Sequence, residues 1–104
     1  MVIEYLTFQV APADQATFLH WDDRLWTPIL SQQPGYQGKE IWRDRETPHQ
    51  IHIVIRWQSW EQWQNIDPDL LQATEQAFQD ALQAADCPYQ FRGCQGLELL
   101  PIHC

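Results

Sequence analysis

The sequence predicts an α+β fold in which one four-stranded antiparallel sheet carries its helices on a single face. Three observations lead there. Stretches at 2–10, 38–45, 51–57 and 89–102 have strand character, clearest at 51–57. Stretches with apolar residues at helical spacing separate the first strand from the second and the third from the fourth. The order strand, helix, strand, strand, helix, strand is that of a split βαββαβ, ferredoxin-like arrangement.

Each element has its own signal. In the first strand Val2, Leu6, Phe8 and Val10 fall on one side, interrupted by Glu4, while Ile3, Tyr5, Thr7 and Gln9 fall on the other. Pro12 suits a first helical position, with Asp14 near the positive end of the helix dipole. Phe18, Trp21, Leu25 and Ile29 then form an apolar stripe. Pro28 lacks an N–H, so the helix either kinks there or gives way to a short second helix capped by Thr27. Pro34-Gly35-Tyr36 is a turn signal. The weak second strand places Lys39, Ile41 and Arg43 on one side and Glu40, Trp42 and Asp44 on the other. The third strand points Ile51, Ile53, Ile55 and Trp57 one way and His52, Val54 and Arg56 the other, and a hairpin joins the two strands. Ser59 and Gln62 have capping-box spacing. Asp67-Pro68 opens the second long helix, which ends at Cys87-Pro88. Gly93 and Gly96 suggest a bulge or bend in the last strand.

With 104 residues, 44% hydrophobic and six of them tryptophan, the chain is expected to form a single folded domain over 1–104. Its net charge of −8 argues against nucleic acid and anionic membranes as partners, since both repel an acidic surface. No stretch approaches the length of a membrane span, and residues 1–10 lack the basic start of a signal peptide. The odd cysteine count (Cys87, Cys94, Cys104) fits a reduced, cytoplasmic chain. No metal site is expected, because the cysteines match no zinc spacing and His103 with Cys104 would need two further ligands. No P-loop or dinucleotide fingerprint is present.

If Leu6, Phe8, Ile53 and Ile55 face the helices, Tyr5, Trp42 and Val54 are left on the open side of the sheet. That side is then more apolar than a solvated face needs to be, and a homodimer would bury it. The competing reading is a one-residue slip, which would exchange the two faces.

Three stretches carry a family resemblance: Pro34-Gly35-Tyr36 followed by Gly38-Lys39-Glu40-Ile41-Trp42, the strand 51–57 running into Gln58-Ser59-Trp60-Glu61-Gln62-Trp63, and the element order over nearly the whole chain. They resemble the dimeric α/β-barrel superfamily, and within it the antibiotic-biosynthesis-monooxygenase-like proteins. The stretch 25–42 looks like a small cyanobacterial branch of about this length. The resemblance implies a homodimer with facing sheets, and a cleft between sheet and helices or opening into the barrel. It also implies cofactor-independent oxygenation of an aromatic or hydrophobic metabolite, with no cofactor required. Haem-degrading relatives use a histidine on the second long helix and an asparagine on the first strand. Neither is present here, which argues against that activity. A histidine that many oxygenase members carry after the third strand is also missing from 58–66.

Among individual residues, His52 and Arg56 are four apart on one strand and share a face. They are the candidate catalytic pair, a histidine for proton transfer and an arginine to clamp a carboxylate or phenolate. Tyr5, Trp26 and Trp42 are the candidate ligand-binding residues, with Thr7 beside them. The plainer reading makes His52 and Arg56 interface residues paired with carboxylates such as Glu40 or Asp44. His20, Asp22 and Asp23 lie on the first helix; His20 and Asp23, three apart, could form a base oriented by a carboxylate, but the group reads as a solvated face. The functional expectation is a small cofactor-independent monooxygenase-like enzyme, and the alternative is a non-catalytic dimeric module that binds a ligand or partner.

Overall fold

A computed structural model describes residues 1–102, so His103 and Cys104 lie outside the described residues. Strand β1 (Val2–Gln9) leads through a 3-10 turn (Pro12–Asp14) into helix α1 (Gln15–Trp21), a π-helical turn (Asp22–Trp26) and helix α2 (Thr27–Ser31). Strands β2 (Tyr36–Arg43) and β3 (Gln50–Trp57) make the hairpin, helices α3 (Trp60–Gln64) and α4 (Pro68–Ala84) follow, and β4 (Gln90–Glu98) ends the fold. The sheet order is β2-β3-β1-β4 with antiparallel pairing throughout, which is the ferredoxin-like α+β arrangement.

Local chemistry sets the ends of these elements. The Ser59 hydroxyl accepts the Gln62 N–H at 3.2 Å and the Asp67 carboxylate accepts that of Asp69 at 2.9 Å, so both expected caps form. Gly35 holds φ at +89°, and a Cβ there would run into the Gln62 side chain. β4 is shorter than its sequence signal because its partner runs out. Val2 pairs with Glu98, and beyond it one backbone bond joins Leu99 N–H to Met1 C=O. The bulge falls at Arg92, between the pairs Thr7–Gly93 and Phe8–Phe91. Gly96 does something else: a Cβ there would lie 2.9 Å from the Trp60 ring, so the glycine lets the tryptophans of α3 lie on the strand.

The first helical segment departs from the simple pattern. The Pro28 ring cannot bond to, and clashes with, the carbonyl one turn earlier. The chain widens into the π turn just ahead of it. The wider turn absorbs an extra residue and moves the inward stripe. Instead of continuing from Phe18 through Trp21, Leu25 and Ile29, the sheet-facing positions are Phe18, Asp22, Trp26 and Leu30. Trp21 and Leu25 pack only at the edge of the core. Trp26 occupies the cap position of α2, and the Thr27 hydroxyl is engaged elsewhere.

Ile51, Ile53, Ile55 and Trp57 are buried beneath the helices, so no one-residue slip has exchanged the faces. An aromatic cluster closes one end of the core, with Phe18 ring-centroid distances of 5.1 Å to Phe8 and 5.4 Å to both Phe78 and Tyr89. No helix among the described residues is long and apolar enough to cross a membrane.

Candidate ligand cavity

The helix layer does not fill all the space above the sheet. A cavity of about 650 Å³ remains between them. Leu6, Phe8, Ile53 and Ile55 form its floor, while Trp26, Leu30, Leu71 and Phe78 face them from the helices. Gln72, Glu75 and Gln79 lie along one stripe of α4, exposed or half-buried, and mark the solvent side. A cavity of this size with apolar walls and few polar groups has the character of a small-molecule site.

Away from that solvent side, its charged groups are Glu4, Asp22 and Lys39. Glu4 is the residue that interrupts the apolar side of β1, and it points into the same space as Leu6 and Phe8. The Trp57 indole N–H donates to Glu4 Oε1 at 3.1 Å. Burial raises the Glu4 carboxyl above its usual value, opposed by that indole bond and by the positive charge of Lys39. Lys39 and Asp22 form an ion pair with both side chains 7% exposed, and Lys39 Nζ also donates to Thr27 Oγ1 at 3.0 Å. Burial pushes the Asp22 carboxyl up as well, and the Lys39 charge pulls it back down. The Cys94 thiol, opposite Leu6 on β4, is pushed up to about 11, first by burial and then by the Glu4 charge.

The five residues singled out in the sequence are not all in one place. Trp26 lines the cavity. Tyr5, Trp42, His52 and Arg56 lie on the other face of the sheet. There Tyr5 stacks on His52 at 5.1 Å, and His52 Nδ1 lies 3.1 Å from Thr7 Oγ1. Arg56 Nη2 pairs with Glu40 Oε1 at 2.7 Å, and Trp42 Nε1 donates to Glu40 Oε2 at 3.1 Å. The Arg56 hydrogen bond holds the Glu40 carboxyl below its usual value. Asp44 accepts the backbone N–H groups of Thr47 and Glu46, which lower its pKa in the same way. His20 sits edge-on to Trp21 on an exposed face. No group of three or more metal-binding side chains occurs among the described residues.

Sequence reasoning missed Glu4, Asp22 and Lys39. Glu4 and Lys39 did leave a signal, since each is a charge on the side of its strand that faces the helices. Asp22 stands four residues after the buried Phe18 and so shares its face, but beside His20 and Asp23 it reads as part of a solvated face.

Fold and cavity together define a small α+β protein with a sheet-and-helix pocket suited to an apolar ligand. The sequence profile of the antibiotic biosynthesis monooxygenase family matches residues 1–66, and the chain belongs to that family. Among solved structures, it is similar to SnoaB, a cofactor-independent oxygenase from Streptomyces nogalater, at 18% identity and a TM-score of 0.66, covering 97% of this chain and 94% of that one. A candidate antibiotic biosynthesis monooxygenase from Deinococcus radiodurans gives 16% identity and a TM-score of 0.66, covering 99% and 96%. Rv0793 from Mycobacterium tuberculosis gives 13% and 0.62, covering 97% and 96%. At these identities the likeness is one of fold. No curated protein sequence matches the chain.

Proposed function

We propose that this chain is a dimeric, cofactor-independent monooxygenase-like enzyme that takes an aromatic or hydrophobic metabolite into the cavity between sheet and helices. The observation that carries the reading is the cavity itself: about 650 Å³, walled by Leu6, Phe8, Trp26, Ile53 and Phe78, in a chain of this family. Without a cofactor, the electrons for oxygen must come from the substrate. In the simplest balanced case a ring methylene becomes a carbonyl, one atom of O₂ enters the product, and the other leaves as water with the two hydrogens. Trp26 supplies a flat wall against which an aromatic substrate stacks. Tyr5, Trp42, His52 and Arg56 belong in this proposal to the sheet face that meets the second subunit, with Arg56 held by Glu40.

Calorimetry with a polycyclic phenol, followed by oxygen uptake and mass analysis of the product, tests this. Binding that weakens about tenfold in Trp26→Ala, with O₂ consumed and one oxygen atom gained, is the expected result. Binding without uptake selects the non-catalytic ligand-binding module. If no aromatic compound binds and Trp26→Ala changes nothing, the cavity is not the site. If instead His52→Ala and Arg56→Ala abolish turnover while the dimer persists, the chemistry belongs on the other side of the sheet.

A further inference from the structure

Resting on the cavity as the binding site, we infer that Glu4 is its specificity-determining residue: it receives an N–H or O–H donor from a flat apolar ligand, and the cavity excludes anions. Among the described residues four charged side chains line the space, and three of them, Glu4, Asp22 and Glu75, are acidic. The one cation, Lys39, is already committed to Asp22 and to the Thr27 hydroxyl. An anionic ligand would have to draw Lys39 out of a buried ion pair and then lie against the remaining carboxylates. The sign of the cavity is therefore set against carboxylates and phosphates.

Glu4 differs from the other two acids. Asp22 has its lysine, and Glu75 lies on the solvent side of the cavity, where water competes for its oxygens and Oε1 already accepts the Gln79 amide at 3.0 Å. The Trp57 indole takes Glu4 Oε1 and fixes the carboxylate, but Oε2 receives no protein donor among the described residues and is not sealed off. A carboxylate oxygen with an unused lone pair at an apolar wall gains most from a donor brought by the ligand. Two donors fit: a protonated amine, which would neutralise the carboxylate, and a neutral hydroxyl, which would hydrogen-bond to it.

Three probes on one ring system separate the possibilities. Naphthylmethylamine, naphthol and naphthoate are titrated calorimetrically near neutral pH into wild type and Glu4→Gln, with naphthalene as the uncharged reference. The expected order puts the amine and naphthol at least about tenfold tighter than naphthoate. In Glu4→Gln the amine loses about tenfold and the disadvantage of naphthoate shrinks. An amine preference over naphthol identifies a cationic ligand, and the reverse a hydroxylated one; either supports the assignment. Naphthoate binding as tightly as the others in wild type overturns it, with no need for the variant to fold. So does an unchanged ranking in a folded Glu4→Gln. If not even naphthalene binds, the cavity reading itself fails and this inference with it.

Discussion

Glu4 shows how one residue can set both a binding preference and a stability profile. Burial lifts its carboxyl above the ordinary 4.5, so the folded chain holds that proton more tightly than the unfolded chain does. As pH climbs from the ordinary value through the raised one, the native state carries the extra proton, and stability falls with rising pH. Glu4→Gln cannot titrate, and its side-chain carbonyl can still accept from Trp57. The variant should therefore match wild type in acid and become progressively more stable than it toward neutrality. Denaturant melts of both proteins across that range measure the gap, and parallel curves would rule out a strained carboxylate. The sequence displayed this residue openly, as a break in an otherwise apolar side of β1. What it withheld was the empty volume above the strand, which turns a tolerated exception into a candidate ligand group. The sequence offers Trp26 alongside Trp42 as a wall for a flat ligand, and of the two only Trp26 lines the cavity.

At the scale of the element, the π turn is the feature on which the cavity depends. Periodicity at 3.6 residues assumes an unbroken α-helix, and it placed Trp21, Leu25 and Ile29 inward. Asp22, four residues after Phe18, already shares its face, and one inserted residue ahead of Pro28 then turned Trp26 and Leu30 in instead. A proline can be read from sequence, but the way a helix accommodates it depends on what waits across the gap. Here Lys39 of β2 waits, and its ammonium gathers Asp22 and the Thr27 hydroxyl from either end of the π turn. That tie should be costly to cut from one side. Asp22→Ala leaves a buried, uncompensated lysine and should destabilise the fold by about 3–5 kcal/mol. The double variant Asp22→Ala/Lys39→Met, which removes both charges, should recover most of that loss. Chemical denaturation of the three proteins checks it, and equal losses in single and double variants would mean the pair holds nothing together.

For the whole molecule, the question is how the uncovered face of the sheet meets its surroundings. The described chain is a slab with principal extents of 47 × 36 × 18 Å, and its helices sit on one side only. The strand alternation made both faces legible in advance, including the placement of Tyr5, Trp42 and Val54 opposite the helices. Trp42 is 51% exposed on β2 and Leu97 45% exposed on β4, so apolar surface reaches both edges of that face. In the proposed dimer this surface is buried against its copy. Charge works against such pairing, because each subunit brings a net −8. Apolar burial must hold the two copies together against their mutual repulsion, and salt screens that repulsion over a Debye length of about 10 Å at 0.1 M. The dimer should accordingly tighten as salt is added, the reverse of an interface held by ion pairs between subunits. Trp42→Glu or Leu97→Glu, at positions that are exposed within the single chain, should give folded monomers with unchanged circular dichroism. Sedimentation velocity across a salt series reads both effects. A wild-type chain that stays monomeric at every salt concentration, or a dimer that salt dissociates, would show that the open face is not what joins two copies.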